Sequence, residues 1–196
     1  MTHILRIDSS IKGADSVSRR LTGRIVERLK AAHPDAIVTE RDVTNGIPAI
    51  DGAWLGAVYI PADQRNAEQA QIAAFSDRLL EEVRAADILV IGLPVYNFGV
   101  PAQLKNWIDQ ITRRGESFVY TENGPEGLLK GKRAIVALSS DGTRMGSEVD
   151  FASPYLRHML GFLGITDVTF VAADQMVFDP EATLKRAEQE VERIAA

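Results

Sequence analysis

Residues 88–101, Ile88-Leu89-Val90-Ile91-Gly92-Leu93-Pro94-Val95-Tyr96-Asn97-Phe98-Gly99-Val100-Pro101, decide the fold. The apolar run Ile88-Leu89-Val90-Ile91 reads as a buried strand, and the stretch from Pro101 through Asp109 reads as a helix with proline near its first turn. A strand that ends in a glycine- and aromatic-containing loop and then feeds a helix is a unit of an open α/β sheet. Such sheets bind ligands at the carboxyl ends of their strands. The loop offers backbone amides, one amide side chain and two rings, with no acid, base or metal ligand. That donor set suits a flat ring system.

Working outward, strand-like and helix-like segments alternate along the whole chain. Residues 4–8 form a first strand. Residues 17–32 follow as an amphipathic helix with Leu21, Ile25, Val26 and Leu29 on one face. Residues 36–41 are a shorter, more polar strand suited to a sheet edge. Residues 67–85 are helical, with Ile72, Phe75, Leu79 and Val83 at core spacing. The third strand spans 87–92, the next helix 102–111, and the fourth strand 133–139. A helix over 154–163, a fifth strand over 167–172 and a helix over 180–194 complete the pattern.

Parallel strands need crossover connections, so this alternation calls for a doubly wound α/β sheet of five parallel strands covered by helices on both faces. The flavodoxin-like order 2-1-3-4-5 accommodates it. The six-stranded dinucleotide-binding order would need a strand that the sequence does not offer.

The 196 residues suit a single domain, 1–196, with a sizeable core. No stretch is long and apolar enough to span a bilayer. The chain runs straight into Ile4-Leu5-Arg6-Ile7 without a basic region, an apolar stretch and a cleavage site, so a cytoplasmic protein is expected. The absence of cysteine excludes disulfides, thiol catalysis and cysteine-bound metal. A net charge of −5, with the basic residues scattered along helices, argues against nucleic acid as a partner.

Two segments exceed a minimal five-stranded domain. Residues 44–66 carry Trp54, Leu55, Val58, Tyr59 and Ile60, too apolar for a solvated tail, with a short helix expected over 51–59. In residues 117–132, Phe118 and Tyr120 alternate and Asn123-Gly124 signals a turn. Their rings either cover the domain's own core or form a contact with a second subunit that shapes the site near it; the contact is expected.

The loop after the first strand, Asp8-Ser9-Ser10-Ile11-Lys12-Gly13-Ala14-Asp15-Ser16-Val17-Ser18-Arg19, has neither the G-x-G-x-x-G fingerprint nor a Lys-containing P-loop. It places hydroxyls before a helix amino terminus, where free amides and the helix dipole favour an anion. Taken alone, Ser16 or Ser18 reads as an ordinary N-cap. Arg19 and Arg20 either help to neutralise a phosphate or are solvated first-turn residues, and the second reading is preferred. After the fourth strand, Ser139-Ser140-Asp141-Gly142 lets backbone approach a planar ligand closely. Strands one, three and four are neighbours in the expected order, so the three loops converge on one crevice. Phosphate at the first loop and a ring between the third and fourth describe FMN.

Other chemistries find little support. His3, His33 and His158 are far apart and lack metal-ligand spacing, so no metal site is expected. There is no G-x-S-x-G elbow for an α/β-hydrolase. A phospho-receiver domain needs an aspartate after the third strand, where this chain has Pro94.

With these residues in view, the chain resembles the FMN-dependent NADH-azoreductases, also described as FMN-dependent NADH:quinone oxidoreductases. The resemblance spans essentially the whole length. It rests on Pro94-Val95-Tyr96-Asn97-Phe98 with Gln103-Leu104-Lys105-Asn106, on Tyr120-Thr121-Glu122-Asn123-Gly124-Pro125-Glu126-Gly127-Leu128, and on Leu160-Gly161-Phe162-Leu163-Gly164-Ile165-Thr166. It implies non-covalent FMN held by Ser10, by Ser16, Val17 and Ser18, by Val95, Tyr96, Asn97 and Phe98, and by Ser139, Ser140, Asp141 and Gly142. It implies a homodimer with active sites at the subunit interface, and with it a substrate pocket involving Tyr59, Tyr120 and Phe162. The family often has arginine and glycine where this chain has Ser140 and Asp141.

The chemistry expected is two-electron, ping-pong hydride transfer from NADH or NADPH through the flavin to a quinone or an azo compound. The cofactor carries the reaction, so no catalytic acid–base pair is required; Asn97 and Tyr120 are the supporting side chains. The alternative is a flavodoxin-like one-electron carrier that docks to redox partner proteins. A strongly acidic docking surface is expected of such a carrier, and −5 over this length does not supply one.

Overall fold

The computed structural model describes residues 1–195. A five-stranded parallel sheet forms its centre, built from β1 (His3–Asp8), β2 (Ile37–Asp42), β3 (Ile88–Pro94), β6 (Arg133–Ser139) and β7 (Asp167–Ala173). Between β3 and β6 in sequence, β4 (Phe118–Thr121) and β5 (Gly124–Gly127) form a separate antiparallel hairpin. The sheet order is β2-β1-β3-β6-β7, which is 2-1-3-4-5 once the hairpin is set aside.

Side chains of successive strand residues point to opposite faces, and the central strands use both. From β3, Leu89, Ile91 and Leu93 join the core under α3 (Ala67–Ala85), α4 (Ala102–Ile111) and α5 (Ser153–Phe162). Ile88 and Val90 join the core under α1 (Val17–Ala32) and α6 (Pro180–Glu192). Every residue of β3 is buried, which is why it reads as a continuous apolar run. Edge strand β2 is the opposite case, with no buried residue and three charges in Ile-Val-Thr-Glu-Arg-Asp. Among the described residues, no helix is long and apolar enough to cross a membrane.

The two insertions resolve into defined structure. Asp51 caps a short helix, α2 (Gly52–Val58), by accepting from the Trp54 amide. Trp54, Ala57 and Val58 are buried against Ala73 and Ile72 of α3, while Leu55 and Tyr59 stay exposed. This explains the split along α3: Leu79 and Val83 face the sheet, whereas Ile72 faces α2. The hairpin turns at Glu122-Asn123, one residue earlier than the Asn-Gly pair suggests, because Thr121 opposes Gly124. Gly124 takes φ 104°, and the Thr121 hydroxyl ties the turn by accepting from the Asn123 amide and donating to the Gly124 carbonyl.

Candidate functional site

The carboxyl ends of β1, β3 and β6 lie side by side, and the loops leaving them enclose a cleft of about 270 Å³. Ser10, Ser16 and Val17 line it from the first loop, Val95 and Tyr96 from the second, and Ser139, Ser140 and Asp141 from the third. A larger, mostly apolar groove of about 640 Å³ adjoins it across Tyr96 and includes Asn97, Lys105, Phe151 and Tyr155.

The first loop ends at the amino terminus of α1. Ser16 is the N-cap, accepting from the Arg19 amide at 3.2 Å, and its hydroxyl lies 3.1 Å from that of the fully buried Ser18. The helix cap is therefore part of the cleft rather than an alternative to it. Among the described residues, the amides of Val17 and Ser18 have no acceptor in the chain, as expected for the first turn of a helix.

The second loop is a tight turn. Tyr96 and Gly99 exchange both backbone hydrogen bonds, at 3.1 and 3.0 Å, and Asn97 and Phe98 between them have φ of 48° and 67°. Two consecutive positive φ values are the signature of a type I′ turn. Asparagine tolerates this conformation; phenylalanine does so at a cost of about 1–2 kcal/mol. The turn leaves the amides of Asn97 and Phe98 free of acceptors among the described residues and holds the Phe98 ring out, about half exposed. The Tyr96 hydroxyl reaches back to the first loop, 3.3 Å from Ser10 Oγ and accepting from the Ile11 amide at 3.2 Å.

The third loop is buttressed from behind. Ser140 donates its amide to Ala173 and its hydroxyl to Thr143, while Met176 and Val177 donate their amides to the carbonyls of Ser140 and Asp141. Asp141 itself is exposed, its carboxylate 3.8 Å from Lys12 of the first loop. An ion pair so open to water contributes little to stability, but it puts one charge of each sign at the cleft.

Beneath the cleft sits Asp8, almost fully buried at the end of β1. Burial pushes its carboxyl above the usual range, against the opposing pull of the Thr22 hydroxyl and the Arg6 and Arg19 cations. Gly92 leaves room for this pair: a Cβ on it would lie 3.1 Å from Asp8 Oδ1 and 3.3 Å from the Thr22 methyl, a tight fit.

Of the residues named from sequence, Ser10, Ser16, Val17, Val95, Tyr96, Ser139, Ser140 and Asp141 line one cleft. Asn97 lines the adjoining groove, Ser18 lies under Ser16, and Phe98 and Gly142 flank the lining residues in their own loops. Tyr59, Tyr120 and Phe162 are not brought to the cleft within one chain. Tyr120 and Phe162 instead both pack on Phe118, with ring centroids 5.5 and 4.7 Å from it, and Tyr59 lines a small pocket that also includes Phe118.

Sequence reasoning missed Arg19. It is not solvated: its guanidinium donates to the Ser10 carbonyl and pairs with Asp42. No local signal marks it, because its partners come from the previous loop and from the end of β2. Lys12, Asp15 and Met176 are further lining residues that the sequence reading did not single out.

Comparison with known proteins matches the chain to the family described as flavodoxin-like fold over residues 2–196. An FMN-dependent NADH:quinone oxidoreductase of Cereibacter sphaeroides is 64% identical over 196 residues, covering all of both chains. A protein of the same description from Jannaschia is 58% identical, again over the whole of both chains. Among solved structures, an FMN-dependent NADH-azoreductase from Bacillus anthracis in complex with FMN superposes with a TM-score of 0.87 at 30% identity, covering 98% of this chain and 96% of that one.

Proposed function

The chain belongs to the family of flavodoxin-like fold, and we propose that it is an FMN-dependent NADH:quinone oxidoreductase that also reduces aromatic azo compounds. The observation that carries this reading is the convergence of the serine loop, the Tyr96 turn and the Ser139–Asp141 loop on one cleft.

The donor set fits FMN. Hydroxyls of Ser10 and Ser16 and the unpaired amides of Val17 and Ser18 suit a phosphate at the positive end of α1. The free amides of Asn97 and Phe98, and those of Asp141 and Gly142 on the neighbouring loop, suit the edges of a flat polar ring. Asn97 adds a side-chain amide for that polar edge. When bound, FMN supplies the two-electron hydride exchange, which explains why the cleft needs no general acid and base.

The chain's own residues bind, orient and exclude water. Tyr96 and Phe98 wall the position where a flat donor or acceptor lies against the ring. NADH or NADPH and the oxidised substrate use that position in turn, which gives ping-pong kinetics. Tyr59, Tyr120 and Phe162 complete the slot from the second subunit of a homodimer in the cytoplasm. The names of the relatives support the reductase and not a one-electron carrier.

The purified protein is expected to be yellow, to release FMN on denaturation and to oxidise NADH when menadione is supplied. Colourless protein that neither binds FMN nor turns over sinks the reading.

A further inference from the structure

We propose that Arg19 is a positioning residue that sets the polarity of the phosphate end of the cleft by fixing the orientation of the Ser10–Ile11 peptide. The inference rests on the assignment of the serine loop to the phosphate of FMN.

Arg19 stands in the first turn of α1, does not line the cleft, and directs its guanidinium at Ser10, Asp42 and Thr44. Its Nε and one terminal nitrogen both donate to the Ser10 carbonyl, at 3.0 and 2.9 Å. Its terminal nitrogens also bracket Asp42, at 2.7 Å to one carboxylate oxygen and 2.9 Å to the other. Asp42 is held in turn by the amide and hydroxyl of Thr44, at 3.0 and 2.6 Å. Four of the five guanidinium N–H groups are thus directed at Ser10 and Asp42, the side chain is largely buried, and its charge is matched.

Its effect runs through the peptide it grips. Among the described residues no peptide is cis, and across a trans peptide the carbonyl and the next N–H point in opposite directions. With the Ser10 carbonyl drawn toward Arg19, the Ile11 N–H is turned to the other side, where it donates to the Tyr96 hydroxyl on the cleft wall. Reversal of this peptide would turn a carbonyl oxygen, a concentrated negative dipole, toward the position assigned to a dianionic phosphate. Arg19 holds the donor side inward and the acceptor side away. Asp42 keeps the clamp in place without leaving an unmatched charge behind the loop.

Riboflavin, which has the ring but no phosphate, separates this role from a general contribution to the fold. Dissociation constants for FMN and riboflavin are to be measured by flavin fluorescence on apoprotein of the wild type, Arg19→Gln, Arg19→Lys and Asp42→Asn, with thermal melts of each apoprotein. Arg19→Gln is expected to weaken FMN about tenfold or more while moving riboflavin less than about twofold. Arg19→Lys keeps the charge but cannot grip carbonyl and carboxylate together, and is expected to lose most of the FMN preference too. Asp42→Asn leaves the guanidinium with neutral partners only, is expected to fall between, and carries the test should Arg19→Gln not fold. Equal weakening of both ligands, or an unchanged preference for FMN, overturns the proposal. Full retention in Arg19→Lys overturns it as well, since charge alone would then suffice. A wild type with no preference for FMN over riboflavin removes the phosphate assignment itself.

Discussion

Gly127 of the hairpin and Gly164 after α5 meet backbone to backbone: a Cβ on Gly127 would lie 2.1 Å from the amide nitrogen of Gly164. Gly164 sits at φ 99°, and the next rungs of the contact are a hydrogen bond from the Leu129 amide to the Leu163 carbonyl at 2.9 Å and the Phe118–Phe162 ring pair. Two stretches distant in sequence are thereby locked into one aromatic platform. Gly127→Ala has no flexible side chain to push aside, only backbone. It is expected to cost at least about 3 kcal/mol, lowering the melting temperature by roughly 6–12 °C or more. A melt within about 2 °C of wild type would show that the contact is looser than the backbone geometry states.

Phe98 gives the opposite balance. Its φ of 67° is strained for phenylalanine and its ring is about half exposed, so the residue costs conformational energy and recovers little by burial. In Phe98→Gly the relief of about 1–2 kcal/mol is set against the roughly 0.5–1 kcal/mol by which glycine stabilises the unfolded chain. Stability in urea is therefore expected within about 1 kcal/mol of wild type. Activity should not follow: kcat/KM for menadione is expected to fall about tenfold as the slot loses a wall. Unchanged kinetics would mean that the strained ring has no part in the slot.

Acid should unfold the protein partly through Asp42. The hydrogen bonds from Arg19, with those of Thr44, outweigh burial and hold its carboxyl at about 2, below the ordinary 3.8. A carboxylate depressed in the folded state contributes its full stability above its unfolded pKa and loses it as pH falls from about 3.8 through about 2. Its side chain is 31% exposed, so the contribution is discounted to about 1–2 kcal/mol. Asp150 works in the same direction: burial opposes ionisation, but the amides of Gly146, Ala152 and Ser153 and the Ser153 hydroxyl prevail. Asp8, raised by burial, has the reverse sign and gains as pH falls. Asp42→Asn is expected to lower neutral stability and to flatten the acid limb in urea titrations between pH 4 and 2. An unaltered slope there would assign the acid limb to other groups.

The parts of this architecture that were legible from sequence share a physical cause. Burial on both faces makes β3 a continuous apolar run; α1 and α3 start at the side-chain caps Ser16 and Asn66 and α4 starts after Pro101, so these three helices can be placed to the residue. The loops at the sheet edge were legible because serines before a helix and a glycine–aromatic turn after a strand each imply a local geometry. What escaped was non-local. Arg19 looks like any first-turn arginine until the end of β2 brings Asp42 beside it. The closeness of Gly127 to Gly164 depends on how a hairpin docks against α5, which no periodicity encodes. The strain at Phe98 follows from ring closure of a two-residue turn that the composition Asn-Phe, unlike Asn-Gly, does not announce.

The aromatic platform supplies the sharpest test of how the slot is completed. Tyr59 and Tyr120 are each more than 60% exposed, and with Phe162 they surround Phe118 away from the cleft of their own chain. If a second subunit brings this platform over the first subunit's flavin, as proposed, Tyr120→Ala and Phe162→Ala should leave the FMN dissociation constant within about twofold, because neither lines the cleft that holds it. They should raise KM for bulky quinones and azo compounds about tenfold, from loss of roughly 1–2 kcal/mol of ring contact each. Mixing FMN-loaded Tyr120→Ala with Ser16→Ala stripped to apoprotein, whose weakened cleft does not compete for the bound FMN, gives the decisive arrangement. In a mixed dimer the only loaded cleft belongs to the Tyr120→Ala chain, and the platform facing it is the intact one of its partner. Activity per bound FMN is then expected to recover toward wild type on mixing. Should it stay at the level of Tyr120→Ala alone, in mixtures shown by sedimentation to contain dimers, the platform serves its own chain and the interface reading fails.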